Sequence, residues 1–85
     1  MSIIRWVIGE EEIAEKWEEL RNERAKYTRA YCVEHIRAHL RRRFPNRNTD
    51  ELFVEYAEGI ERAAAELYGH FCGQMDAKET FLNSL

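Results

Sequence analysis

Proline occurs once, at Pro45, and glycine four times in a chain of 85 residues. All-β and loop-rich architectures draw heavily on both for their turns, so this composition excludes them and leaves room for long helices. Cysteine occurs twice, at Cys32 and Cys72, too sparse for the multi-bridge framework of a small secreted domain. Both are expected to be reduced thiols on different helices of a cytoplasmic protein. No run approaches the ~18 apolar residues of a membrane span. The N-terminus also lacks the basic, apolar and small-residue order of a signal peptide, so no membrane partner is expected. Glycine-rich phosphate loops, nucleophile elbows and the Glu-x-x-His pairs of di-iron helices are missing too. Ser2 and Ser84 are terminal and make poor nucleophiles, and two packed helices give no deep pocket. The expectation is a protein that is not an enzyme and has no resident cofactor, with zinc as the one alternative.

What is present is charge laid out in three blocks. Residues 1–20 carry a net −4, residues 21–47 a net +7 and residues 48–85 a net −6. A chain folded back near Pro45 brings the basic middle against the acidic last block, where opposite charges fix the pairing of helices. The overall −3 is weak evidence against a general nucleic-acid binder.

Residues 10–44 contain neither proline nor glycine and are rich in Glu, Ala, Arg and Leu, all good helix formers. Glu10, Glu11 and Glu12 suit the positive end of a helix dipole, and Arg41, Arg42 and Arg43 the negative end. Asn48 or Thr49 can cap a second helix over residues 49–72, with Gly73 as its stop. Asp76-Ala77-Lys78-Glu79 has capping-box spacing ahead of a short helix over 76–84. The predicted fold is therefore all-α and one domain over residues 1–85. It consists of an antiparallel helical hairpin and a short C-terminal helix, assembled as a bundle.

The second helix has one apolar stripe, Leu52, Phe53, Tyr56, Ile60, Ala63, Ala64, Leu67 and Phe71, at ~100° per residue. Gly59 and Ala63 on it read as sites of close helix approach. The first helix is more complex. Ile13, Trp17, Leu20, Arg24, Tyr27 and Tyr31 form a seam with spacings of four and three, and then Val33, Ile36, Leu40 and Phe44 form another on nearly the opposite side. Either the helix breaks between residues 24 and 32, or its two ends pack against different partners. A lone hairpin covers both stripes poorly, and small domains need extra burial, so a homodimer is expected. Residues 1–9 differ in kind. Ile3, Ile4, Trp6, Val7 and Ile8 are β-branched, aliphatic or aromatic, and suit either an arm folded onto the core or one docking on another chain.

Three constellations bear on function. Cys32, His35 and His39, at i, i+3 and i+7, lie on one side of a helix and can supply three zinc ligands. Glu61 is the fourth candidate across the hairpin, and satisfied side chains flanking a core are the alternative. The run Val33-Glu34-His35-Ile36-Arg37-Ala38-His39-Leu40 is similar to part of the second long helix of small all-α metal-sensing repressors. The cysteine those proteins need one helix earlier has no counterpart here, so no assignment is transferred. Arg37, Arg41, Arg42, Arg43 and Arg47 form a basic cluster able to grip phosphates, though a dipole-compensating helix end has the same composition. Glu11, Glu12, Glu15, Glu18 and Glu19 read as a solvated face, or as an acidic surface able to occupy a basic groove.

The sequence thus predicts a small non-catalytic protein-binding module, acting as an adaptor, inhibitor or regulatory subunit. Its contacts are expected from Ile3, Ile4, Trp6, Val7 and Ile8 of the arm, from Tyr27 and Tyr31, and from Val33, Ile36, Leu40 and Phe44. Buried aromatic residues dominate binding energy at interfaces. The alternatives are a nucleic-acid-binding regulator using the Arg37–Arg47 cluster and a metal-binding helical protein using Cys32, His35 and His39.

Overall fold

The computed structural model describes residues 9–85. Four helices make up these residues: α1 (Glu10–Lys26), α2 (Arg29–Arg43), α3 (Thr49–Glu55) and α4 (Ala57–Asn83). No strand occurs among the described residues. Gly9 enters α1 at φ 86°, in the left-handed region that a residue without Cβ adopts freely. Three glutamates then fill the first turn and Arg24 and Lys26 the last, as the helix dipole favours.

The long first helix is two helices. The break falls at Tyr27–Thr28, within the span where the two apolar stripes change sides. Tyr27 N–H still reaches the Glu23 carbonyl at 2.8 Å, while Thr28 N–H turns to Lys26 O at 3.0 Å. Thr28 then caps α2, its Oγ1 accepting from the Tyr31 N–H at 3.2 Å. Asn48 caps α3 in the same way, its Oδ1 accepting from the N–H groups of Asp50 at 2.9 Å and Glu51 at 3.2 Å. Asn48→Ala is expected to lower stability by about 1 kcal/mol, read as a shift in the urea midpoint.

The second half departs from the sequence expectation at both ends. Gly73 does not stop the helix, and Asp76-Ala77-Lys78-Glu79 does not start another, because α4 runs unbroken from Ala57 to Asn83. A glycine inside a helix costs roughly 1 kcal/mol, which burial of Met75 and Leu82 against α1 more than offsets. The carboxylates of the supposed capping box face α1 instead. Arg24 Nη2 donates to Asp76 Oδ1 at 3.1 Å and Glu79 Oε2 at 2.8 Å, and Lys78 Nζ reaches Glu23 at 2.8 Å. The interruption comes earlier, at Tyr56 (φ −114°, ψ 30°). Hydrogen bonds from Tyr56 to Leu52 and from Ile60 to Tyr56, both 2.9 Å, carry the ladder through this bend. The bend lets α3 pack on α2 as well as on α4.

Helix α4 is the spine. Leu20 and Trp17 of α1 pack with Met75, Leu82 and Leu85 near its C-terminal end. Tyr27 and Tyr31 meet Phe71 further back, and Leu40 of α2 lies beside Ile60. Partner numbers on α4 fall as numbers on α1 and α2 rise. The contacts are consistent with a helical bundle, but a thin one, measuring 57 × 19 × 17 Å with a radius of gyration of 18.1 Å. A compact chain of this length has a radius near 12 Å. The buried apolar residues among those described are Ile13, Leu20, Cys32, Leu52, Ala64, Met75 and Leu82. Gly59 and Ala63 are not sites of close approach within the chain. Both are exposed, and a Cβ added at Gly59 meets nothing within 4 Å.

Candidate interaction surface

Among the described residues, three of the four exposed large apolar side chains, Phe44, Val54 and Tyr56, lie where α2, α3 and α4 meet. The Thr28 cap reorients α2, so that Cys32 is fully buried and Val33, Ile36 and Leu40 are half-buried. The Asn48 cap and the Tyr56 bend then fold α3 over the end of α2, with Leu52 at 2% exposure as its anchor. Above Leu52 a shallow depression of 270 Å³ is lined by Leu40, Phe44, Arg47, Tyr56 and Ile60. Phe44 is 42% exposed and Tyr56 55%, and Val54 on the outer side of α3 is 81% exposed. Arg47 stands at the rim, its Nη2 on Glu55 Oε2 at 2.7 Å. Below it Arg37 donates to Asp50 Oδ1 at 2.7 Å and Glu34 Oε1 at 3.3 Å. The Arg37 guanidinium also lies 4.4 Å from the Phe53 ring centre, a cation–π contact. Its hydrogen bond to Asp50 raises the Arg37 pKa further above a value already beyond ordinary pH, so Arg37 is a permanent cation fixed within the fold.

A second groove, of 180 Å³, lies at the other end of the rod between α1 and α4, lined by Leu20, Phe81 and Leu82 with Lys16, Glu19 and Lys78. Phe81 is 46% exposed there. Both depressions fall below the roughly 300–1,000 Å³ of typical ligand sites.

Tyr27 and Tyr31, predicted as contact residues, are half-buried in an aromatic cluster that bridges the α1–α2 break to α4. Tyr27 stacks on Phe71 at 4.4 Å and meets Tyr31 edge-on at 5.2 Å. Lys26 Nζ lies 5.3 Å from the Tyr27 ring centre. Their main contacts are therefore within the chain, holding the two short helices on one spine. The arm residues Ile3, Ile4, Trp6, Val7 and Ile8 lie outside the described residues.

The proposed metal ligands are not brought together. Cys32 faces the interior at 0% exposure, His35 stacks beside Tyr31 at 6.3 Å, and His39 and Glu61 are exposed. Among the described residues no three His, Cys, Asp or Glu side chains gather in a metal-binding arrangement. Cys32, His35 and His39 lie within ~60° of arc on one helix, but the edge of the packed face of α2 passes between them, with Cys32 on the buried side and His35 and His39 on the exposed side. Burial pushes the Cys32 thiol above its ordinary value, and nearby Cys72 adds to the shift, so the thiolate that zinc requires is disfavoured. Tyr68 is raised as well, first by its hydrogen bond to Cys72. Both thiols are free.

Groups held protonated by folding lose protons first in the unfolded chain. Stability is therefore fully present below the free-thiol value of about 8.5 and falls as pH rises through the folded-state values. Urea midpoints are expected to decline between pH 8 and pH 10, and Cys32 is expected to react with a thiol reagent only on unfolding. Fast Cys32 labelling in the native protein would contradict its burial.

The basic cluster divides in two. Arg37 and Arg47 are engaged in ion pairs. Arg41, Arg42 and Arg43 are exposed and make no ion pair with a described residue. They sit on the last turn of α2, where the dipole favours cations.

Among the described residues, Val54 and Phe81 are the exposed large apolar side chains that sequence reasoning did not select. Val54 lies ~200° around the helix from Leu52, on the side of Glu51 and Glu55, and a β-branched apolar residue among carboxylates was the available signal. No helix among the described residues is long and apolar enough to cross a membrane. No family model, curated protein or solved structure matches this chain.

Proposed function

We propose that the chain is a small non-catalytic protein-binding module, an adaptor, inhibitor or regulatory subunit of the cytoplasm, built as a helical hairpin that is completed by contact with protein. One observation carries this reading, the surface left uncovered by so thin a fold. The chain exposes 6621 Å² at 10.2 kDa, against about 5,300 Å² for a compact monomer of that mass. The excess of about 1,300 Å² exceeds the ~800 Å² that each partner contributes to a standard interface. Phe44, Tyr56 and Val54 supply the exposed apolar groups, with Arg47 at their edge. Aromatic and arginine side chains of this kind dominate binding energy at interfaces. The two free cysteines suit a reducing compartment.

Capture from the source lysate tests the proposal. A stoichiometric protein that remains bound after nuclease treatment is the expected result. Deleting residues 1–8 is expected to weaken that capture with helical content nearly unchanged, and loss of the fold would place the arm in the core.

A second reading rests on the exposed Arg41, Arg42 and Arg43, which are free to contact phosphate. Nucleic-acid binding through them requires affinity that falls steeply with salt, because each phosphate contact releases counterions. Affinity unchanged when all three are reversed to glutamate removes it.

A further inference from the structure

The face of α4 beside its buried stripe has a regular order of its own. Tyr56 at the bend, Ile60, Ala63 and Leu67 recur at spacings of four and three. His70, Gln74, Ala77 and Phe81 carry the same alternation to the helix end. This is a heptad seam of the kind that packs helix against helix, and it runs the full length of the spine. Ile60 and Leu67 are half-buried where it borders the contacts with α1 and α2, and the other six residues are exposed. Gly59, beside the seam, has open space around it.

The ends of the seam are bulky and much of its middle is small or polar. Reversed against itself, the helix sets aromatic on aromatic at both ends and each alanine against a larger side chain inside them. Laid antiparallel about the midpoint between Tyr68 and Gly69, Phe81 meets Tyr56, Ala77 meets Ile60, Gln74 meets Ala63 and His70 meets Leu67. We propose that α4 pairs antiparallel with α4 of a second copy along this seam, giving a two-fold symmetric bundle. Such an interface is isologous, with every contact made twice. His70 and Gln74, hydrogen-bonded to each other at 3.3 Å, put polar groups near its centre, where they specify register.

Charge selects both the occupant and its direction. Helix α1 carries seven carboxylates against four basic side chains, and α2 carries five arginines against Glu34. Because α1 lies along the C-terminal half of α4 and α2 along the N-terminal half, an antiparallel copy sets acidic α1 level with basic α2 at both ends. A parallel copy sets like beside like. Area agrees, since a standard interface takes ~800 Å² from each partner, within the excess of about 1,300 Å², so the seam does not use up the uncovered surface. This inference rests on the protein-binding reading and names a second copy as the occupant of one face. The pairing covers the Tyr56 and Ile60 side of the depression and leaves Phe44, Val54 and Arg47 exposed for a different partner.

Sedimentation equilibrium at tens of micromolar tests it. The wild-type chain is expected at twice 10.2 kDa, Ala63→Glu at the single mass, and Ala65→Glu, exposed off the seam, still at twice the mass. A wild-type monomer overturns the second copy without touching the hetero-partner reading, which lysate capture decides. A dimer indifferent to Ala63→Glu overturns the seam. Circular dichroism reports whether Ala63→Glu remains helical. If it does not, Ala63→Cys and Gln74→Cys chains are mixed under oxidation. Disulfide linkage between the two variants supports the antiparallel seam, and Ala63→Cys linking only to itself overturns it.

Discussion

Leu52→Ala is expected to destabilise the fold by about 2–5 kcal/mol, the largest effect of any single truncation in α3. Leu52 is 2% exposed and is the buried anchor of a seven-residue helix too short to persist alone. Removing it leaves a cavity beneath α3 and frees the helix from both α2 and α4. The total stability of a small domain is only some 5–15 kcal/mol, so the urea midpoint moves far toward zero. Two residues away, Val54→Ala is expected to change stability by no more than about 0.5 kcal/mol, because Val54 is 81% exposed. The contrast is the diagnostic. Equal shifts for the two would mean that α3 does not pack on its Leu52 face.

Phe44→Asp is expected to weaken partner capture about 30-fold while leaving the melting curve nearly in place. Phe44 is 42% exposed at the lip of the α2–α3–α4 depression. A hot-spot aromatic carries about 2 kcal/mol or more, and 1.4 kcal/mol is tenfold in affinity. The arginines one turn back have a different expectation. Reversing Arg41, Arg42 and Arg43 together should slow association and alter its salt dependence, since exposed charges act mainly on encounter. A loss that follows the arginines rather than Phe44 would favour the phosphate reading.

Much of this architecture was legible in the sequence for a physical reason. The change of apolar face between Tyr31 and Val33 made a break between residues 24 and 32 one of two readings, and the structure shows it there, with Thr28 supplying the hydroxyl that caps the new helix. Asn48 was one of two readable caps, with Thr49, and it is Asn48 whose short side chain reaches the N–H groups of Asp50 and Glu51. The charge blocks anticipated the pairing of Arg24 with Asp76 and Glu79 and of Arg37 with Asp50. What local signals misjudged was the far end of the chain. Gly73 and the Asp76–Glu79 box each favour a helix boundary by about 1 kcal/mol. Burying Phe71, Met75 and Leu82 against α1 outweighs both. The bend at Tyr56 carries no proline or glycine and follows from tertiary packing of α3.

The candidate surface was half legible. Leu40 and Phe44 belong to the sequence-predicted stripe and line the depression. Tyr56 was read as core, because a stripe at helical spacing does not reveal how many helices will cover it. Only the thinness of the fold does so. Cys32, His35 and His39 show the converse, a pattern with correct spacing that straddles the edge of the packed face of α2, so that Cys32 is buried and both histidines are exposed.

The protein-binding claim is tested most directly by capture from nuclease-treated source lysate, with wild type and Phe44→Asp run side by side and both protein and nucleic acid analysed. The expected result is a stoichiometric protein on the wild type that is lost from Phe44→Asp. Recovery of nucleic acid alone from untreated lysate, vanishing with nuclease and indifferent to Phe44, would contradict it.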